Sequence, residues 1–124
     1  MREHPKILVI EDEKNLRLLY QKDLSRDGFD VVTAASAADG LAMFESESPD
    51  LVVMDIRLPG MDGLEAMSRL LNKHPKTPVV LNSAYSSYKD SFMSWPADAY
   101  VVKSADTDEL RTRVRELLES RAES

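Results

Sequence analysis

Residues 52–63 read VVMDIRLPGMDG. The apolar run Leu51-Val52-Val53-Met54 ends in a carboxylate, Asp55, and the chain then breaks at Pro59-Gly60. Such a run, rich in β-branched residues and closed by turn signals, marks a strand covered on both faces. An Asp at a strand end is often only a turn former, because its side chain bonds nearby backbone amides. Asp55 therefore takes its meaning from what gathers around it.

Two other runs repeat the pattern, Ile7–Ile10 (ILVI) and Val79–Leu81. Between them lie helical stripes. Leu16, Leu19, Tyr20 and Leu24 share one face, and Gly28 stands where that helix stops. A second helix is expected from Ser36, with Asp39 completing a capping box and Ala38, Leu41 and Ala42 along it. A third opens at Asp62 with Glu65 and carries Leu64, Met67, Leu70 and Leu71. The last is expected to start at Asp106 with Glu109, burying Leu110, Val114, Leu117 and Leu118. Phe29–Ala34 and Asp98–Val102 mix polar with apolar residues, as edge strands do. Residues between Ser83 and Pro96 read as a short fourth helix.

Strand and helix thus alternate five times, which calls for a parallel sheet with helices on both faces and right-handed crossovers. The expected fold is α/β, a doubly wound five-stranded parallel sheet in the order 2-1-3-4-5. The 124 residues suit one domain, 1–124, with a core of about 5–120. No linker, repeat or low-complexity segment interrupts it. Without cysteine there is no disulfide, thiolate metal site or Cys nucleophile. Twenty-two acidic residues against sixteen basic ones leave a net charge of −6, which repels a phosphate backbone and argues against direct nucleic-acid binding. No stretch reads as a signal peptide or a membrane span, and a cytoplasmic location is expected.

In such sheets ligands bind beyond the carboxyl ends of the strands, where strand order reverses, here between the first and third strands. The residues that follow the strands are Glu11, Asp12 and Glu13 after the first, Asp55 after the third, Asn82-Ser83-Ala84 after the fourth and Lys103 after the fifth. With adjacent strands about 4.8 Å apart, at least three carboxylates share one crevice. Their repulsion is relieved by a hard divalent cation, and Mg²⁺ takes oxygen ligands from carboxylates, waters and a phosphate. Lys103 adds a second positive charge. Such a site neutralises a phosphoryl group beside Asp55, a competent nucleophile for an aspartyl phosphate, with the Ser83 hydroxyl placed to bond a phosphoryl oxygen.

Taken together, Glu11-Asp12, Asp55 in MDIRLPGMDG, Ser83-Ala84, and Tyr100 and Lys103 in YVVK resemble the receiver domain of two-component response regulators, of the chemotaxis-regulator kind, over essentially the whole chain. The resemblance implies a flavodoxin-like receiver fold with five helices and Asp55 as phosphoacceptor. It implies Asp12 and Asp55 as direct Mg²⁺ ligands, Glu11 acting through water, and the carbonyl of Arg57 as a further ligand. It also implies a switch pair, Ser83 moving to the phosphoryl group while Tyr100 turns inward. The surface of the fourth helix, fifth strand and fifth helix would shift in response. Implied partners are a histidine kinase or phosphotransfer protein and a downstream protein or output domain.

Two features depart from the family. Lys103 is followed by Ser104 where the family usually has proline after a cis bond; a cis bond to a non-proline costs about 3 kcal/mol, so a trans bond is expected. The segment SAYSSYKDSFMSWP, residues 83–96, carries Tyr85, Tyr88, Phe92 and Trp95. It is expected to form a shortened or displaced helix that packs on the sheet, with a partner surface as the alternative. Rival readings are a pseudo-receiver acting by contact alone, a haloacid-dehalogenase-type phosphatase and a flavodoxin. The phosphatase needs a second acid two residues after the nucleophile, where this chain has Arg57. The flavodoxin needs a Ser, Thr and Gly-rich phosphate loop where Glu11-Asp12-Glu13 stands. Arg57 and Tyr85, both bulky, are expected to screen the phosphoryl site from water and prolong the phosphorylated state.

Overall fold

Alternating strand residues segregate to two faces, and that alternation organises the computed structural model, which describes residues 3–84 and 95–123. The strands are β1 (Lys6–Ile10), β2 (Asp30–Ala34), β3 (Leu51–Met54), β4 (Val79–Ser83) and β5 (Ala99–Val102). The helices are α1 (Lys14–Arg26), α2 (Ala37–Glu47), α3 (Gly63–Lys73) and, last in the chain, α4 (Asp108–Glu123). All strand pairs are parallel, in the order β2-β1-β3-β4-β5. On one face Leu8, Ile10, Val52, Met54, Val79, Leu81 and Tyr100 meet Phe44 of α2 and Ala66, Met67 and Leu70 of α3. On the other, Ile7, Val9, Val53, Val80 and Val101 meet Tyr20 and Leu24 of α1 and Leu110, Val114 and Leu118 of α4. Among the described residues no helix is long and apolar enough to cross a membrane.

Local signals fix most of the boundaries. Gly28 ends α1 at φ +92°, a conformation that L side chains rarely adopt. Ser36 caps α2 by accepting from Asp39 N at 3.1 Å, and Asp62 caps α3 by accepting from Glu65 N at 2.9 Å. Two expectations need correction. Helix α4 begins at Asp108 rather than Asp106: Asp106 Oδ1 accepts from Asp108 N at 2.9 Å, an Asx turn that competes with helix formation, and the first helical bond runs from Arg111 N to Thr107 O. Helix α2 buries Ala37, Gly40 and Phe44, while Ala38 and Ala42 are exposed and Leu41 is half-buried. The large Phe44 anchors that helix, and Gly40 lets it approach Ile10. Residues 85–94, where the short fourth helix with Tyr85, Tyr88 and Phe92 is expected, lie outside the described residues; Trp95 is half-buried against the α2/α3 face.

Helix α1 is tied to α4 by charge. Asp27 Oδ1 and Oδ2 accept from Arg111 Nη2 at 2.7 Å and Nε at 2.9 Å, a bidentate pair, and Arg115 lies 3.4 Å from the same carboxylate. These guanidinium bonds hold the Asp27 pKa below the usual carboxylate range. A depressed carboxylate contributes stability that is present above its unfolded pKa, about 3.9, and is lost as pH falls through the folded value. Asp27→Asn is expected to lose about 1–2 kcal/mol at neutral pH. Its urea midpoint should also fall less than the wild-type midpoint as pH drops from about 5 to 3; parallel pH profiles would show that the pair contributes nothing.

Candidate functional site

The sheet's hydrogen bonding continues past two strand ends and so holds the acidic residues still. Glu11 N donates to Ala34 O at 3.0 Å, and Asp55 N donates to Ile10 O at 3.2 Å. Both side chains are buried, Glu11 at 2% and Asp55 at 5% exposure, while Asp12 is exposed. From the far side, Lys103 N donates to Ser83 O at 2.7 Å, directing the lysine back across β4. Its ammonium bonds Asp55 Oδ2 at 2.7 Å and lies 2.6 Å from Glu11 Oε1. The convergence expected from the sequence is therefore present. The Lys103–Ser104 bond is trans, since no cis peptide occurs among the described residues.

Beneath Asp55, the start of α3 fits closely against the backbone. Gly63 N donates to Ile56 O at 2.7 Å, and a Cβ on Gly63 would meet the Asp55 carbonyl oxygen and come within 2.9 Å of the Asp55 carbonyl carbon and Ile56 Cα. Asp55 Oδ1 also accepts from Arg57 N at 3.3 Å. Arg17 of α1, which the sequence reading passed over, donates from Nη1 to the carbonyls of Glu11 at 2.8 Å and Asp12 at 3.3 Å, clamping the acidic loop. Nothing in the sequence marks Arg17, because its partners are backbone atoms.

Burial raises the pKa of Glu11, and the neighbouring Lys103 opposes that rise. Burial works against the charged form of Lys103 as well, but its contacts with Asp55 and Glu11 prevail and hold it well above the ordinary lysine range. The ammonium stays charged across physiological pH. Glu11, Asp12 and Asp55 each present a carboxylate oxygen, all within 4.8 Å of one another. Of their oxygens, Glu11 Oε1 and Asp55 Oδ2 lie against the Lys103 ammonium, while the Asp12 carboxylate is exposed. Three acids facing one ammonium leave an excess of negative charge, and hard oxygen donors in this number fit a small divalent cation.

Of the other expected site residues, Ser83 and Arg57 lie at the same end of the sheet. Ser83 is fully buried as the last residue of β4. Arg57 is exposed, and its backbone N–H bonds Asp55. Tyr100 is 4% exposed and packed into the α2/α3 face, so its ring is inward in this conformation. Tyr85 lies outside the described residues.

Comparison with known proteins agrees with this fold. The profile of the response regulator receiver domain matches residues 7–115. The chain is 35% identical over 115 residues to the alkaline phosphatase synthesis transcriptional regulatory protein PhoP of Bacillus subtilis (strain 168), covering 91% of this chain and 48% of that protein. It thus spans about half the length of the curated relatives it matches first. Among solved structures, the response regulator TrrA of Thermotoga maritima in complex with Mg²⁺-BeF is similar at 40% identity and TM-score 0.86, covering 91% of this chain and 98% of that one. TrrA in complex with the histidine kinase ThkA aligns at TM-score 0.85 and 40% identity, covering 92% and 98%. With the receiver-domain profile matching most of its length, the chain belongs to the receiver-domain family of two-component response regulators.

Proposed function

We propose that this chain is one receiver domain, with a core of about 5–120, that accepts a phosphoryl group on Asp55 from a histidine kinase or phosphotransfer protein in the presence of Mg²⁺. The observation that carries this reading is the Lys103 ammonium, 2.7 Å from Asp55 Oδ2 and 2.6 Å from Glu11 Oε1 at the carboxyl ends of adjacent strands. Asp12 and Asp55, with the Arg57 carbonyl, would hold the cation directly, and Glu11 through water. When bound, Mg²⁺ supplies charge neutralisation for the phosphoryl oxygens.

The chain's own residues do the rest. A carboxylate oxygen of Asp55 attacks phosphorus in line; the bond from phosphorus to the donor imidazole nitrogen breaks, and its electron pair returns to the ring. Lys103 stabilises charge on the transferring group, and its fixed position means little reorganisation accompanies the reaction. The Ser83 hydroxyl donates to a phosphoryl oxygen, and Tyr100 packs inward behind it. Phosphorylation then biases the surface around β5 and α4 toward a state read by a downstream protein or an output domain. Water later attacks phosphorus, the bond to the Asp55 oxygen breaks, and inorganic phosphate leaves.

Incubation with Mg²⁺ and acetyl phosphate tests this directly. The intact mass of the wild type should rise by one phosphoryl group, and Asp55→Asn should show no gain. An equal gain in the variant, or none in the wild type, would overturn the reading. Arg57 is exposed beside the site and screens it from the attacking water. Arg57→Ala should therefore shorten the lifetime of the phosphorylated form about threefold or more, followed by its decay after removal of acetyl phosphate; an unchanged lifetime would dispose of the screening role.

A further inference from the structure

On the α1/α4 face an otherwise apolar strand pattern is interrupted by Asn82, which follows Val80 by two residues and pairs with Val101. Asn82 and Tyr20 are each 2% exposed, and the Tyr20 hydroxyl faces the Asn82 amide. Neither Tyr20 Oη nor Asn82 Oδ1 makes a hydrogen bond among the described residues. Two buried polar atoms without partners cost about 1–3 kcal/mol each, a cost that a small bridging molecule would relieve.

The space beside them is of that size. A cavity of about 10 Å³ is lined by Tyr20 and Asn82 together with Val102, Ser104 and Thr107, and that volume takes about one water molecule. We propose that Tyr20 and Asn82 are positioning residues for Lys103, acting through one buried water that bridges Tyr20 Oη and Asn82 Oδ1 beneath the end of β5. The hydrogen bonding balances. The water accepts from the Tyr20 hydroxyl and donates to Asn82 Oδ1. Its second proton can go to Thr107 Oγ1, whose own proton is given to Asp23 Oδ2 at 2.6 Å.

Two of the cavity's walls, Val102 and Ser104, are the chain neighbours of Lys103. Asn82 in turn adjoins Ser83, whose carbonyl receives Lys103 N. The water therefore joins α1, β4 and the loop after β5 at the point from which the lysine extends. This inference rests on the phosphoacceptor reading, since it assigns residues that aim that site's ammonium.

The test compares the wild type with Tyr20→Phe, Asn82→Leu and the double variant. Tyr20→Phe removes one oxygen from an otherwise intact core, so it keeps the test open should Asn82→Leu not fold. The saturating rate of phosphorylation by acetyl phosphate should fall about fivefold in each single variant. The Mg²⁺ dissociation constant, read by calorimetry, should stay within about twofold, because the cation ligands are untouched; a merely structural role would not separate the two quantities. The double variant should be no slower than the worse single one, because both act through one water. A high-resolution crystal structure of the wild type should show that water within hydrogen-bonding distance of both atoms. Unchanged rates in the variants, multiplied losses in the double variant or a dry cavity would overturn the proposal while leaving phosphorylation of Asp55 intact. A wild type that takes up no phosphoryl group would overturn both.

Discussion

Replacing Lys103 by methionine is expected to slow phosphorylation of Asp55 by about a hundredfold, the usual cost of removing one preorganised group that faces developing charge. The same change should tighten Mg²⁺ binding, because the ammonium now sharing the crevice competes with a cation for Glu11 and Asp55. Without Mg²⁺ the variant should also be less stable. Glu11 is 2% exposed, and losing its cationic neighbour leaves a buried carboxylate without a counter-charge. Breaking a buried pair costs about 3–5 kcal/mol; with the crevice open on the side of the exposed Asp12, a loss of about 2–3 kcal/mol is expected. Urea unfolding with and without Mg²⁺ separates the contributions, since saturating Mg²⁺ should restore most of the stability and none of the rate. A variant phosphorylated at the wild-type rate would remove Lys103 from the chemistry.

Gly63→Ala is expected to be the most damaging single-methyl change near the site. Its Cβ would meet backbone rather than a flexible side chain, within 2.9 Å of the Asp55 carbonyl carbon and Ile56 Cα. Either α3 lifts from its seat, breaking the 2.7 Å bond from Gly63 N to Ile56 O, or the Asp55 backbone shifts. Overpacking of this kind costs about 2–3 kcal/mol, and a displaced nucleophile should lower the phosphorylation rate about tenfold or more. Gly60→Ala is the control: it has open space around it but φ +79°, so its cost should be only about 1 kcal/mol. Equal urea midpoints for the two variants would show that the α3 seat yields more easily than its contacts imply.

Much of this arrangement was legible in the residues because it follows from local rules. Continuous apolar runs at Ile7, Leu51 and Val79 became the three inner strands, and Ser36 and Asp62 became caps. The crevice followed from the parallel topology, which delivers Glu11, Asp55 and Lys103 to one end of the sheet. What escaped depends on tertiary partners. Asp106 carries the residue type of a helix cap, but its carboxylate accepts from Asp108 N, and the residue just before the helix is Thr107, which bonds Asp23 across the molecule. The α2 face was misread because Gly40, with no side chain, lies at its closest approach to the sheet. Arg17 binds carbonyls, and the Tyr20–Asn82 pair spans 62 positions of chain. In the sequence only Asn82, polar within VVLNS, hinted at a feature on that face.

Borohydride trapping examines the assignment of Asp55 most directly. An acyl phosphate on aspartate is reduced by borohydride to homoserine, so the phosphorylated residue is marked chemically and can be located by peptide sequencing. After treatment with Mg²⁺ and acetyl phosphate, homoserine should appear at position 55 alone and should require Mg²⁺. Homoserine at Asp12 or elsewhere, or its absence from a sample shown by intact mass to carry a phosphoryl group, would contradict the role given to Asp55.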